Sequence, residues 1–285
     1  MNLQDLHLLV DDLAYPECPR WHEGKLWFSD MLGRRVYAVE VNSDSTEGVC
    51  STEVEWQADV AGLGWDNDGQ LMVVSAPENT VLKLQDGKLQ PFADLSALSQ
   101  GECNDMIVKN GVAYVGHFNG KLSPQEVQPS GLIKIDTEGN VSIALEGVMF
   151  PNGMVFSADG KRLIFAESFG RCLSQVDVAE DGSLSNKRPF ADLGTAVPDG
   201  ICIDAEGAVW VTDPLGKRVI RVLEGGEVTD SIDMQTMGAF ACELGGSDGK
   251  TLFICAADGF GKIALNGPDT GKIYACNVNV PAQGC

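Results

Sequence analysis

Four residues whose side chains end in oxygen recur at one position of a repeated sequence block. The block begins with a polar or small residue and is followed by a turn rich in Gly and Asp and then by an alternating apolar segment. Its six copies begin at intervals of 42–48 residues, at Glu17, Ala61, Asn104, Asn152, Asp199 and Ala241. Two carboxylates and two amide carbonyls suit Ca²⁺, Mg²⁺ or Mn²⁺, and Zn²⁺ only where it is the metal available. If the copies are structurally equivalent, these four residues meet around one divalent cation.

The spacing of the copies predicts the elements that must position this set. Each copy is followed by short segments of alternating apolar residues joined by turn pairs such as Asp68-Gly69 and Asn110-Gly111, which indicate β-hairpins. A period of roughly 40–50 residues made of short strands is typical of a β-propeller. We predict an all-β, six-bladed β-propeller with a central divalent-metal site, formed by residues 1–285 as a single domain. We expect Leu6–Val10 to close the ring as the outermost strand of the last blade.

The metal interpretation has a plainer alternative. Asn-Gly and Asp-Gly are common turn pairs, and Asn152-Gly153 or Asp199-Gly200 alone would indicate a turn. Four oxygen donors in one repeat phase favour a metal site over four unrelated turns. The alanines in the other two copies fit a site on one side of the channel.

Composition excludes several classes of function. The formal net charge of −21 disfavours binding to nucleic acids and to anionic membranes, and no apolar run is long enough for a membrane span. The first residues show no basic segment and no long apolar core, so we expect no secretory signal. The nine cysteines include no CxxC pair and are expected to be free thiols in a reducing, cytoplasmic setting.

Several motifs together resemble the senescence-marker-protein/gluconolactonase/luciferin-regenerating-enzyme family, which includes regucalcin. The segments that carry the resemblance are Pro16–Trp21, Asn104–Asp105, Phe150–Met154, Ser157–Gly160, Pro198–Gly207 and Leu244–Asp248. The resemblance covers essentially the whole chain. It implies a six-bladed propeller with one catalytic divalent ion and the hydrolysis of lactones. A related propeller, diisopropyl-fluorophosphatase, hydrolyses organophosphates.

The resemblance also assigns roles to particular residues. Glu17, Asn152 and Asp199 match the metal ligands of the family, and Asn104 matches a fourth residue that binds the ion directly or through water. Asp199 further matches the acid that moves a proton or attacks as a nucleophile. We therefore expect Asp199 and Asn104 to be the catalytic residues. The sequence does not distinguish a water mechanism from a covalent carboxylate mechanism.

The chain departs from the family where a substrate would bind. Glu102 stands where the family often has an arginine, and His117-Phe118 replaces the family's Thr-Met. Phe150 and Phe169 lie beside copies of the channel motif and are candidates for an apolar wall, with core packing as the alternative. We predict that Glu102, His117, Phe150 and Phe169 bind the substrate, and that neutral lactones are preferred to anionic ones. The alternatives are a Glu102 side chain that points to solvent and a His117 side chain that caps the end of a strand. The loop of residues 117–130 is a candidate specificity loop.

The leading hypothesis is thus a metal-dependent, gluconolactonase-like lactonase acting on a small-molecule lactone. We expect one divalent ion, with Ca²⁺ favoured over Zn²⁺, Mg²⁺ or Mn²⁺, and a monomer or weak homo-oligomer. Two alternatives remain at this point: an organophosphate (phosphotriester) hydrolase, and a non-enzymatic calcium-binding propeller, since a fold alone does not give a function.

Overall fold

The computed structural model describes residues 1, 5–42, 46–120, 126–259 and 269–284. Within these residues, 24 β-strands form six four-stranded antiparallel sheets, and there is no α-helix. The strands are β1 (His7–Leu13), β2 (Pro16–His22), β3 (Lys25–Asp30), β4 (Arg35–Val41), β5 (Gly48–Glu55), β6 (Val60–Trp65), β7 (Leu71–Ser75), β8 (Thr80–Gln85), β9 (Lys88–Asp94), β10 (Cys103–Lys109), β11 (Val112–His117), β12 (Ser130–Ile135), β13 (Val141–Val148), β14 (Pro151–Phe156), β15 (Arg162–Glu167), β16 (Cys172–Val178), β17 (Leu184–Asp192), β18 (Ile201–Ile203), β19 (Val209–Asp213), β20 (Arg218–Val222), β21 (Val228–Asp233), β22 (Gly238–Gly245), β23 (Thr251–Ala257) and β24 (Gly271–Asn277).

Five blades are built from four strands that follow one another in the chain, namely β2–β5, β6–β9, β10–β13, β14–β17 and β18–β21. The sixth has the order β1-β24-β23-β22, with His7 opposite Ala275 and Leu13 opposite Gly271. The inner strand of each blade lies beside the inner strand of the next, and β22 also lies beside β2. The prediction of an all-β, six-bladed propeller is confirmed.

The blades bury their apolar residues against one another. Strands β7 and β23 are buried along their whole length, as expected for strands covered on both faces. The outermost strands β5 and β21 are mostly exposed. Large side chains such as Phe28, Phe165 and Phe253 are completely buried between sheets. The core is therefore a ring of interfaces between blades, as expected when single sheets must stack to cover their faces.

The described part of the chain contains eight cysteines, all of them free and six of them buried, whereas Cys285 lies outside the described residues. A search of those residues found no helix that is long and apolar enough to cross a membrane.

Glycines allow the inner strands to approach one another closely. A Cβ atom at Gly62 would lie 2.6 Å from the Cβ of Met106 in the next blade, and one at Gly200 would lie 2.5 Å from the Cα of Ala241. Gly153 lies within strand β14 in the same type of contact, and none of the three glycines has a positive φ. The interpretation of Asn152-Gly153 as a turn pair is therefore wrong, because its glycine serves the contact between blades.

This contact gives a testable prediction. Gly62→Ala is expected to lower the free energy of unfolding by roughly 2–3 kcal/mol, because the new methyl group would overlap the backbone of Met106. Gly69→Ala is the control. Gly69 has a φ of +75°, and apart from its two chain neighbours no described atom lies within 4 Å of a Cβ placed there, so this variant should lose only about 1 kcal/mol. Denaturant unfolding of the metal-free proteins measures both, and a loss at Gly62 no larger than that at Gly69 would contradict the interpretation.

Candidate active site

The predicted metal ligands lie at equivalent places in their blades. Glu17, Asn104 and Asn152 are each the second residue of an inner strand, in β2, β10 and β14. At or directly after each of them, the pairing with the next strand of the blade shifts register. Such bulges re-aim a side chain out of the regular alternation. Asp199 precedes β18, and its N–H donates to the carbonyl oxygen of Thr212 at 3.0 Å.

The structure brings the four oxygen donors together in the wall of one cavity of about 940 Å³. Glu17 and Asn152 are buried, and Asn104 and Asp199 are half-buried. Asn104 Nδ2 donates to Asn152 Oδ1 at 3.5 Å, and Asn152 Nδ2 donates to Ser168 Oγ at 3.3 Å. The hydrogen bond to Ser168 fixes the orientation of the Asn152 amide.

The two carboxylates of this set are held in an unfavourable environment. Burial, and then the neighbouring charge of Asp199, raise the pKa of Glu17 well above its usual range. Burial also raises the pKa of Asp199 to about 8, with a contribution from the charge of Asp105, while a hydrogen bond with the Asn152 side chain opposes the increase. Both shifts have the direction expected when carboxylates lose water and face other negative charges.

The chemistry of the donor set fits a divalent cation. Its two negative charges would neutralise such an ion, and the amides add oxygens of the type that Ca²⁺ and Mg²⁺ accept. Among the described lining residues Arg34 is the only Lys or Arg, and its Nε donates to Asp59 Oδ1 at 3.1 Å. No described group of three or more His, Cys, Asp and Glu side chains could hold a metal, so any site here needs the amides of Asn104 and Asn152 as well as the two carboxylates.

A third carboxylate close to the set has its own cation. The guanidinium group of Arg20 donates to Asp105 Oδ1 at 2.7 Å and to the carbonyl oxygen of Met106 at 2.6 Å. Both side chains of the ion pair are largely buried, with 16% and 6% of their surface exposed. The charge of Arg20 therefore mainly balances Asp105, next to Asn104 in sequence, and it opposes the rise in the pKa of Glu17 only as a minor contribution.

Three of the four predicted substrate-binding residues line the same cavity, namely Glu102, Phe150 and Phe169. His117 is not among the described lining residues. Its side chain is buried, and its Nδ1 accepts a hydrogen bond from the backbone N–H of Gln100 at 3.4 Å. The structure thus places His117 at the end of strand β11, which is the alternative that the sequence leaves open for it.

Other lining residues were missed by the sequence reasoning, although a signal for them exists. The residue two positions before the start of a copy lines the cavity in five blades: Tyr15, Asp59, Glu102, Phe150 and Val197. Glu102 and Phe150 were predicted on other grounds, namely a departure from the family pattern and a position beside the channel motif. The repeat phase would also have indicated Tyr15, Asp59 and Val197.

The loop of residues 117–130 contributes Phe118 and Gly120 to the cavity, whereas residues 121–125 lie outside the described residues. Phe118 is held there by a hydrogen bond from its backbone N–H to the carbonyl oxygen of Glu102 at 2.8 Å. The start of this loop is therefore part of the candidate site.

Comparisons with known proteins agree with this architecture. The family model of the SMP-30/Gluconolactonase/LRE-like region matches residues 15–258. A 6-deoxy-6-sulfogluconolactonase of Pseudomonas putida is 27% identical over 278 residues, covering 94% of this chain and 92% of the relative. The pentonolactonase XacC of Haloferax volcanii is 27% identical over 252 residues, covering 85% and 83%. The structure of a calcium-binding protein, regucalcin, from Agrobacterium tumefaciens superposes with a TM-score of 0.79 at 18% identity, covering 100% and 96% of the two chains, and supports the fold.

Proposed function

This chain belongs to the SMP-30/gluconolactonase/LRE-like family, and from that premise we propose that it is a metal-dependent hydrolase that opens lactones. The observation that carries the proposal is the convergence of Glu17, Asn104, Asn152 and Asp199, from four different blades, on one cavity. A scaffold protein has no need for such a set. Two relatives that match most of the chain are named as lactonases, which favours a cyclic ester as the substrate.

We propose that Glu17, Asn152 and Asp199 hold one divalent cation, with Asn104 as a further ligand or as the ligand of a bound water. Ca²⁺ is the favoured ion because all four donors are hard oxygens and because a protein with the same fold is described as calcium-binding. When bound, the ion supplies Lewis-acid polarisation of the lactone carbonyl.

The side chains have distinct tasks in the proposed reaction. The Asp199 carboxylate takes a proton from the attacking water or itself attacks the carbonyl carbon. The Asn104 amide, half-buried in the wall of the same cavity, orients the substrate by hydrogen bonding. Ser168 keeps the Asn152 amide in position through the hydrogen bond between them. The apolar part of the wall limits the access of water to the reacting ester.

We also infer that the pairing of β1 with β24 closes the ring of blades. That pairing links the first strand of the chain to the last blade, so it resists separation of the first and last blades.

Metal binding is tested without any substrate. Ca²⁺ added to metal-free protein should raise the Tm. At a free Ca²⁺ concentration of 100 times Kd, the free energy of unfolding should increase by about 2.7 kcal/mol. Calorimetric titration with Ca²⁺ should fit a single binding site. Glu17→Gln should weaken the affinity at least about tenfold, since it removes one of two ligand charges. Asp68→Asn, in an exposed hairpin turn, is the control and should leave the affinity unchanged. Absence of binding by Ca²⁺, Mg²⁺, Mn²⁺ and Zn²⁺ would rule the site out.

Catalysis is tested at Asp199. Asp199→Asn should lower the kcat for δ-valerolactone on the order of 100-fold or more, because the amide cannot accept the proton or attack the carbonyl. Activity is followed with a pH indicator, and metal content is measured on the same preparation. Near wild-type turnover by a metal-loaded variant would remove Asp199 from the mechanism.

Charge selectivity is tested at Glu102. A like charge within about 4 Å costs on the order of 4 kcal/mol at an effective dielectric constant near 20, so the wild-type protein should have a higher kcat/KM for neutral than for anionic lactones. Glu102→Arg should reduce or reverse this preference for neutral lactones. Glu102→Gln removes the charge without inverting it, so its preference should be intermediate between those of the wild-type protein and Glu102→Arg. An unchanged ranking in both variants would mean that Glu102 does not act on the substrate.

A further inference from the structure

Three phenylalanines form one continuous wall of the cavity. The ring centroids of Phe118 and Phe150 are 5.0 Å apart with planes at 80°, and those of Phe150 and Phe169 are 5.7 Å apart at 77°. These edge-to-face contacts are a favourable arrangement for aromatic pairs. All three side chains are half-buried and line the cavity, so part of each ring faces its interior.

The backbone holds this aromatic wall in place. Phe150 has a φ of +61°, which is a strained conformation for a bulky residue. Its carbonyl oxygen accepts a hydrogen bond from the Ser168 N–H at 3.1 Å, and the Phe169 N–H donates to the carbonyl oxygen of Met149 at 3.2 Å. These two bonds tie together the turns that carry Phe150 and Phe169. Strain that is maintained by neighbouring bonds is characteristic of functional sites.

The wall is close to the proposed reaction centre. Phe150 and Asn152 are separated by one residue, and Ser168, next to Phe169, accepts the hydrogen bond from the Asn152 amide. A group attached to a lactone whose carbonyl lies at the four donors is thus within reach of the aromatic rings. Because these rings offer no hydrogen-bonding group, the hydroxyl groups of a sugar lactone would lose water there without a replacement partner. An apolar substituent would instead gain from leaving water.

We infer that the aromatic wall is a subsite for an apolar substituent, so that the substrates are aryl- or alkyl-substituted lactones rather than polyhydroxylated sugar lactones. The inference rests on the proposed hydrolase function for its reaction, but the subsite itself is a binding property. It adds Phe118 to the specificity residues. It also assigns the apolar part of the substrate to the blades β10–β13 and β14–β17 and the connection between them, which carry the three rings.

The experiment compares three lactones with the metal-loaded protein: δ-valerolactone, its δ-phenyl derivative and glucono-δ-lactone. The phenyl derivative should have a kcat/KM at least about tenfold above that of unsubstituted δ-valerolactone, and glucono-δ-lactone should be the poorest substrate. Phe118→Ala and Phe169→Ala should each lower the ratio of kcat/KM for the phenyl derivative to kcat/KM for unsubstituted δ-valerolactone about tenfold. The two residues belong to different blades, so if one variant does not fold, the other still tests the prediction.

The matched control is Phe92→Ala. Phe92 lies in β9, the outer strand of its blade, under the ammonium group of Lys83, and its loss should not change the ranking. Three results would overturn the subsite. The wild-type protein could show similar kcat/KM values for the three lactones, or it could prefer glucono-δ-lactone. The third result is an order of kcat/KM values that Phe118→Ala and Phe169→Ala leave unchanged.

A binding measurement separates the subsite from the reaction. The lactam analogues of δ-valerolactone and of its phenyl derivative keep the ring shape but resist hydrolysis, and calorimetry gives their Kd values. Tighter binding of the phenyl lactam, lost in Phe118→Ala, would support the subsite even if no lactone were opened, in which case only the hydrolase function fails. Equal Kd values for the two lactams would overturn the subsite whatever the activity.

Discussion

The carboxylates of Glu17 and Asp199 lie in the wall of one cavity, where burial and the charges of neighbouring carboxylates disfavour their ionised forms. This is an energetic cost that a fold does not retain without compensation. Asp105, beside the same cavity residues, shows one form of compensation, because Arg20 supplies a charge within 2.7 Å of it. Among the described residues, neither Glu17 nor Asp199 forms such an ion pair. A divalent cation is the counter-charge that suits two carboxylates flanked by two amides.

The close approach of the inner strands brings the oxygen donors together at one cavity. Glycines at Gly62, Gly153 and Gly200 let neighbouring inner strands meet with almost no side chain between them. The residues just before Gly153 and Gly200, Asn152 and Asp199, line the cavity, whereas Ala61, just before Gly62, is completely buried in the core. A register shift in the strand pairing accompanies the donor in β2, β10 and β14. The packing of the backbone thus selects which positions can reach the cavity, and the sequence decides which of them carry oxygen.

The sequence predicted what depends on the repeat alone. The repeat is visible within the sequence segment of each blade. It therefore predicts the number of blades and the equivalent positions of four residues, namely Glu17, Asn104, Asn152 and Asp199. It did not predict the bulges or the course of the loop after β11, because these depend on contacts between segments that are distant in the chain. His117 illustrates the limit: its place in a segment that departs from the family pattern suggested the cavity, but its Nδ1 instead accepts a hydrogen bond from the Gln100 N–H.

Symmetry and its loss have different roles in this molecule. Six similar blades form the propeller, and in five of them the position two residues before the copy lies in the cavity wall, at Tyr15, Asp59, Glu102, Phe150 and Val197. A symmetric wall could not orient a small molecule, whereas this one is acidic at Asp59 and Glu102 and apolar from Phe150 to Tyr15. Arg34 pairs with Asp59, whereas Glu102 forms no ion pair with a described residue. A lactone with a neutral ring and an apolar substituent matches that division: the substituent meets the three phenylalanines, and no negative charge is brought towards Glu102.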